Sequence, residues 1–149
     1  FTLIELLITI VIIGVLSVIG LNNFVATQMK ARDAQRKSDL ETLAKSLEMY
    51  YNDKGRYPTV TGGEILGIDW GDDGGFTDTT VTGGAIYLSK MPQDPGEFSY
   101  YYTIGTNGVS FVLYARLENT KDRAVGTYTG TDCGETECNY ALSSTNVQP

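Results

Sequence analysis

Three sets of side chains in this sequence have groups capable of chemistry. They are the single Glu5 in an apolar stretch, the pair Cys133 and Cys138, and the aspartates Asp69, Asp72, Asp73 and Asp78 of one glycine-rich loop. Histidine is absent, which removes the commonest general base and the commonest transition-metal ligand together. No nucleophile is paired with a base and no glycine loop after a strand is built to cradle phosphate, so no catalytic residue is assigned. The loop DWGDDGGFTD has the oxygens that calcium takes, but Gly71 sits where an EF-hand would place its second ligand. A solvated acidic loop is the preferred reading, with the four aspartates a weak calcium candidate that chelation would test. Zinc at Cys133 and Cys138 would need carboxylates such as Glu135 to complete its shell, and no nearby cation activates a thiolate. Two cysteines by themselves are weak evidence for a disulfide.

Glu5 is the only charged side chain in FTLIELLITIVIIGVLSVIGL, residues 1–21. A carboxylate at the centre of an apolar span costs roughly 2.5–3.5 kcal/mol, and less near its end. A helical side chain tilts toward the N-terminus, so Glu5 points back toward an α-amine, its own or that of Phe1 in a neighbouring copy. The plainer reading is an interfacial carboxylate favoured by the helix dipole.

The element that positions Glu5 is a helix over residues 1–23, apolar on every face and therefore surrounded by lipid or by other helices. At 1.5 Å per residue its 21-residue apolar run is roughly 30 Å long, about one hydrocarbon core. It lacks the basic opening and small-residue cleavage site of a secretory signal, and because the chain opens on Phe1 a leader is expected to have been removed already. Gly14 and Gly20 weaken it by about 1 kcal/mol each relative to alanine, which suits either close helix packing or local unwinding over 14–23.

Residues 24–56 continue as an amphipathic helix. Leu40, Leu43, Leu47 and Tyr50 form one stripe, Asp33 with Lys37 and Glu41 with Lys45 are i,i+4 pairs, and Gly55 is the stop. Lys30, Arg32, Arg36 and Lys37 are read as a charged face for solvent, for anionic lipid heads or for acidic groups on other copies.

A head then occupies 57–149. It holds twelve acidic and four basic residues, so it repels phosphate, and specific nucleic-acid binding is not expected. Residues 59–84 read as a long connection with one short element near 64–68. The runs 98–104 and 109–118 flank GTNG as a hairpin, with Val109, Phe111, Leu113, Ala115 and Leu117 on the face toward the helix stripe. A third strand is expected at 124–129 and another near Tyr87 or at 139–142. The fold class is α+β: a long N-terminal helix packed by an antiparallel sheet of three or four strands.

FTLIELLITIVIIG resembles the N-terminus of type IV pilins and of the type II secretion pseudopilins, and the likeness continues more weakly through 40–58 and 87–95. The resemblance implies the type IV pilin fold and a peptidase that cuts before Phe1 and methylates its amine. It also implies that Glu5 pairs with the amine of an adjoining subunit during assembly. Leu3, Leu6, Leu7, Ile10, Ile13, Gly14, Val18, Gly20 and Leu21 then belong to the filament core. The implied partners are copies of the chain, the prepilin peptidase, an inner-membrane assembly platform with its ATPase, and the membrane itself before assembly. The implied location is the inner membrane, single-pass, then the cell surface. A disulfide between Cys133 and Cys138 is implied in the same way, and no cofactor is. The related major pseudopilins hold calcium, but no position-by-position match carries that site here. Asn22 and Asn23 stand where many relatives have a proline, so a sharp kink is not implied. A major pilin is the leading expectation; a major pseudopilin of type II secretion and a minor pilin or adhesin are the alternatives. An unrelated membrane-anchored enzyme is disfavoured.

Overall fold

The computed structural model describes residues 1–78 and 83–146, and within them the side chains of all but 19–23. Its dominant element is one helix, α1 (Leu3–Lys54), of 52 residues. Both ends have sequence-coded caps: Thr2 is the extended N-cap, and Gly55 ends the helix in the left-handed region (φ 71°), its N–H donating to the Tyr51 carbonyl. In the chain alone the helix continues through 14–23.

Among the described residues seven short strands build the head: β1 (Val60–Thr61), β2 (Glu64–Ile65), β3 (Phe76–Thr77), β4 (Ile86–Leu88), β5 (Tyr101–Ile104), β6 (Phe111–Ala115) and β7 (Tyr140–Ser143). They form two two-stranded ladders, β1-β2 and β3-β4, and a three-stranded antiparallel sheet in the order β5-β6-β7. The α+β class and the packing of a small antiparallel sheet on the long helix are as the sequence implied. Register runs Tyr102 to Leu113 and Leu113 to Leu142, which places Phe111, Leu113 and Ala115 on the buried face.

That face meets the predicted helix stripe. Leu40, Leu43 and Leu47 are fully buried, and Tyr50 stacks on Phe76 and meets Tyr87 edge-on at centroid distances of 5.4 and 5.2 Å. Each buried large side chain contributes about 1.5–3 kcal/mol before entropy. The core extends to Ile65, Met91, Tyr100 and Tyr102. Gly63 (φ 88°) is needed where it stands, because the Tyr101 ring lies 2.4 Å from where a β-carbon would be.

Three local expectations are corrected. Val109 does not join the inward face: it caps a short 3-10 turn at φ −98°, ψ −2°, and stays 48% exposed. No strand forms at 124–129. The Ala124 and Val125 N–H groups close a turn on Asp122, and β7 takes the place beside β6. The stretch 59–84 is less irregular than its composition suggests, since it contains β1, β2 and β3.

Candidate functional site

Thr2 and Glu5 form a closed unit at the start of α1. The Glu5 carboxylate accepts from the Thr2 N–H (2.7 Å) and hydroxyl (2.8 Å), and the Glu5 N–H donates to the Thr2 hydroxyl oxygen (3.3 Å). This is a capping box, in which two orphan groups of the helix end satisfy each other. The carboxylate points back as the tilt of helical side chains requires, but within one chain it stops at Thr2 rather than at an amine. Thr2 was missed by sequence reasoning, although the Thr-x-x-Glu spacing before an apolar run is the signature that finds it.

Beyond this unit the helix surface is exposed as far as Val18. Leu3, Leu6, Leu7, Ile10, Ile13 and Val18 are each at least half exposed, and nothing lies within 4 Å of where a side chain on Gly14 would be. Gly20 and Leu21 lie outside the described side chains. Among the described residues, no helix is long and apolar enough to cross a membrane.

Further along α1, Arg32, Arg36 and Lys37 of the charged face meet carboxylates of their own chain rather than solvent, lipid or another copy, while Lys30 stays exposed. Arg36 is fully buried. Its Nε and Nη2 form a fork on Asp94 (2.6 and 2.9 Å), its Nη1 reaches Asp33 and Glu118 (both 2.8 Å), and its guanidinium carbon lies 5.2 Å from the Phe98 ring centroid. Asp33 also accepts from the backbone N–H groups of Glu118 and Asn119 at 2.9 Å. Arg32 joins Glu118 (2.7 Å from Nε), and Lys37 joins Asp122 (2.7 Å) rather than Asp33. Among the described residues Glu41 and Lys45 form no ion pair. The reason is topological: loops 92–98 and 117–122 bring carboxylates onto this face, and a buried guanidinium is tolerated because every carboxylate around it is hydrogen-bonded.

The other candidates separate. Cys133 and Cys138 are bonded, with Cα atoms 5.2 Å apart, and both are buried. The four aspartates are not gathered: Asp73 pairs with Lys90 and Asp78 with Lys54, both at 2.6 Å, while Asp72 caps the Gly74 N–H. Among the described residues no group of three or more His, Cys, Asp or Glu could hold a metal.

The geometry therefore offers an exposed apolar rod with a capped carboxylate at its tip and a head clamped to its far half, with no reaction centre built from these residues. A family model for type II secretion system protein G matches residues 23–127, well over half of the chain. The chain belongs to the type II secretion protein G family. That family is made of structural subunits of the pilin and pseudopilin kind, not of enzymes. Among relatives of this protein G family member, a type II secretion system core protein G of Klebsiella pneumoniae is 34% identical over 100 residues, 67% of this chain and 70% of that protein. One from Aeromonas hydrophila is 33% identical over 95 residues, 64% of this chain and 65% of that protein, so the chain spans just under two thirds of it. The type IV major pilin protein PilA of Myxococcus xanthus is 37% identical over 57 residues, 38% of this chain and 26% of that protein. No solved structure matches the chain. These likenesses favour the pseudopilin alternative over the leading expectation of a major pilin.

Proposed function

We propose that this chain is the major pseudopilin-type subunit of a type II secretion filament, anchored in the inner membrane by residues 1–23 before assembly and polymerising through the same residues. The family match carries the assignment. The exposed apolar face of α1 supports the mode of assembly, because moving such a helix from lipid into a bundle of helices changes little hydrophobic free energy and leaves selection to packing and the few polar groups. Glu5 is the polar group at hand. In the free chain it is satisfied by Thr2, and in the filament it exchanges that partner for the amine of Phe1 in an adjoining copy. The net gain is small, since desolvation offsets attraction, but a slipped register leaves a carboxylate unpaired in an apolar bundle, and this fixes the register. A prepilin peptidase, an assembly platform and its ATPase are the further partners of this reading.

A surface pilus is the second reading, favoured by the match to PilA over 57 residues. The two are separated by deleting the gene for the chain. Loss of protein export without loss of sheared surface fibres supports the pseudopilin; loss of abundant surface fibres with export intact supports the pilin.

A further inference from the structure

Phe24 and Val25 lie past the 21-residue apolar run of α1, yet they are 59% and 63% exposed. Among the described residues the first buried side chain of α1 is Asp33, and upstream of it Phe24, Val25, Lys30 and Ala31 stay exposed. On the head, α1 and the edge strand β7 leave an apolar groove of about 320 Å³. Ala44, Phe111 and Leu142 line it, and Glu41, Lys45 and Glu48 stand on its rim.

We propose that this groove receives residues 24–31 of α1 from a second copy of the chain, an inference that rests on the self-assembly reading and names its contact. Apolar surface meets apolar surface: Phe24 and Val25 lose their exposure, and the small Ala31 on the same stretch lets the helix approach closely. Charge agrees as well. The rim has two carboxylates to one ammonium, and among the described residues neither Glu41 nor Lys30, which the incoming stretch presents, is in an ion pair. Glu48 accepts the Tyr57 hydroxyl at 2.9 Å. Ala44 is twenty positions beyond Phe24 on one continuous helix. At 1.5 Å per residue, two parallel copies so engaged are offset along the helix by about 30 Å. Groove and stretch are different surfaces of one molecule, so the contact is heterologous and propagates without closing, as a helical fibre requires.

The test co-produces two full-length variants, Val25→Cys and Lys45→Cys, and treats the assembled fibres with a short bis-maleimide. The native cysteines are bonded and buried, so they stay silent. A mixed dimer from fibres, absent from unassembled membrane-extracted protein, is the expected result. Fibres holding both variants but yielding no mixed dimer overturn the contact. If either variant blocks assembly, density for the wild-type fibre decides. Phe24 in the groove of a copy displaced by about 30 Å upholds the contact, and Phe24 packed elsewhere, or another protein in the groove, overturns it. Wild-type protein that forms no fibre at all under its own machinery sinks the self-assembly reading as well, a separate and recognisable failure.

Discussion

Arg36 shows how far a single residue departs from its sequence setting. In KARDAQRKSD it reads as one charge among many on a polar helix face, yet in the fold it is the fully buried hub of three carboxylates. Removing one partner of a buried charge group leaves the others unpaired, which costs about 3–5 kcal/mol. Arg36→Ala is therefore expected to lower the thermal midpoint of the detergent-solubilised full chain sharply, with a change within error showing that the clamp is unimportant. Glu118 gives the same cluster a pH dependence. Hydrogen bonds from Arg32, then Arg36, outweigh its desolvation and hold its carboxyl at about 2, against an ordinary 4.5. Its folded pKa is depressed, so its contribution is complete above the ordinary value and is lost as pH falls toward the folded one. Melting curves between pH 5 and 2 are expected to fall less steeply for Glu118→Gln than for the wild type; identical slopes count against this role.

At the scale of elements, local patterns carry most of the information. The helix over 24–54, its Leu40, Leu43 and Leu47 stripe, the Gly55 stop and the hairpin around GTNG all follow from periodicity and turn chemistry, because the residues that decide them are neighbours in sequence. The third strand is different. Residues 124–129 have a passable strand composition, but the place beside β6 is filled from 140–143, a choice made by long-range pairing that no local window contains. The pairing of Lys37 with Asp122 instead of Asp33 has the same origin. In the candidate site, Glu5 was legible from its isolation among apolar residues, whereas Thr2 needed the capping-box spacing to be applied to a segment already read as membrane helix. The cysteine loop is a local element in the full sense: closing six residues stabilises by at most about 2 kcal/mol in the chain-entropy model. Cys133→Ser with Cys138→Ser should thus lower stability only modestly and leave the β5-β6-β7 sheet folded, as amide exchange would show; global unfolding would make the loop a brace instead.

The whole molecule divides its labour by position along one helix. Toward the N-terminus the described apolar side chains from Phe1 to Val18, with Phe24 and Val25, face outward; from Asp33 onward one face of the same helix is buried under a head with an excess of carboxylates, held by both an apolar stripe and a charged clamp. A rod whose near half is left exposed by the head and whose far half is tied firmly to that acidic head transmits the register of the first to the second. In this account the register is set at Glu5. The most direct measurement compares the sheared-fibre fraction from cells making the wild-type chain with that from cells making Glu5→Ala, alongside protease resistance of the head. The account predicts full-length Glu5→Ala with a folded, resistant head that stays in the membrane fraction and is missing from fibres. Fibres of Glu5→Ala at wild-type yield would contradict it.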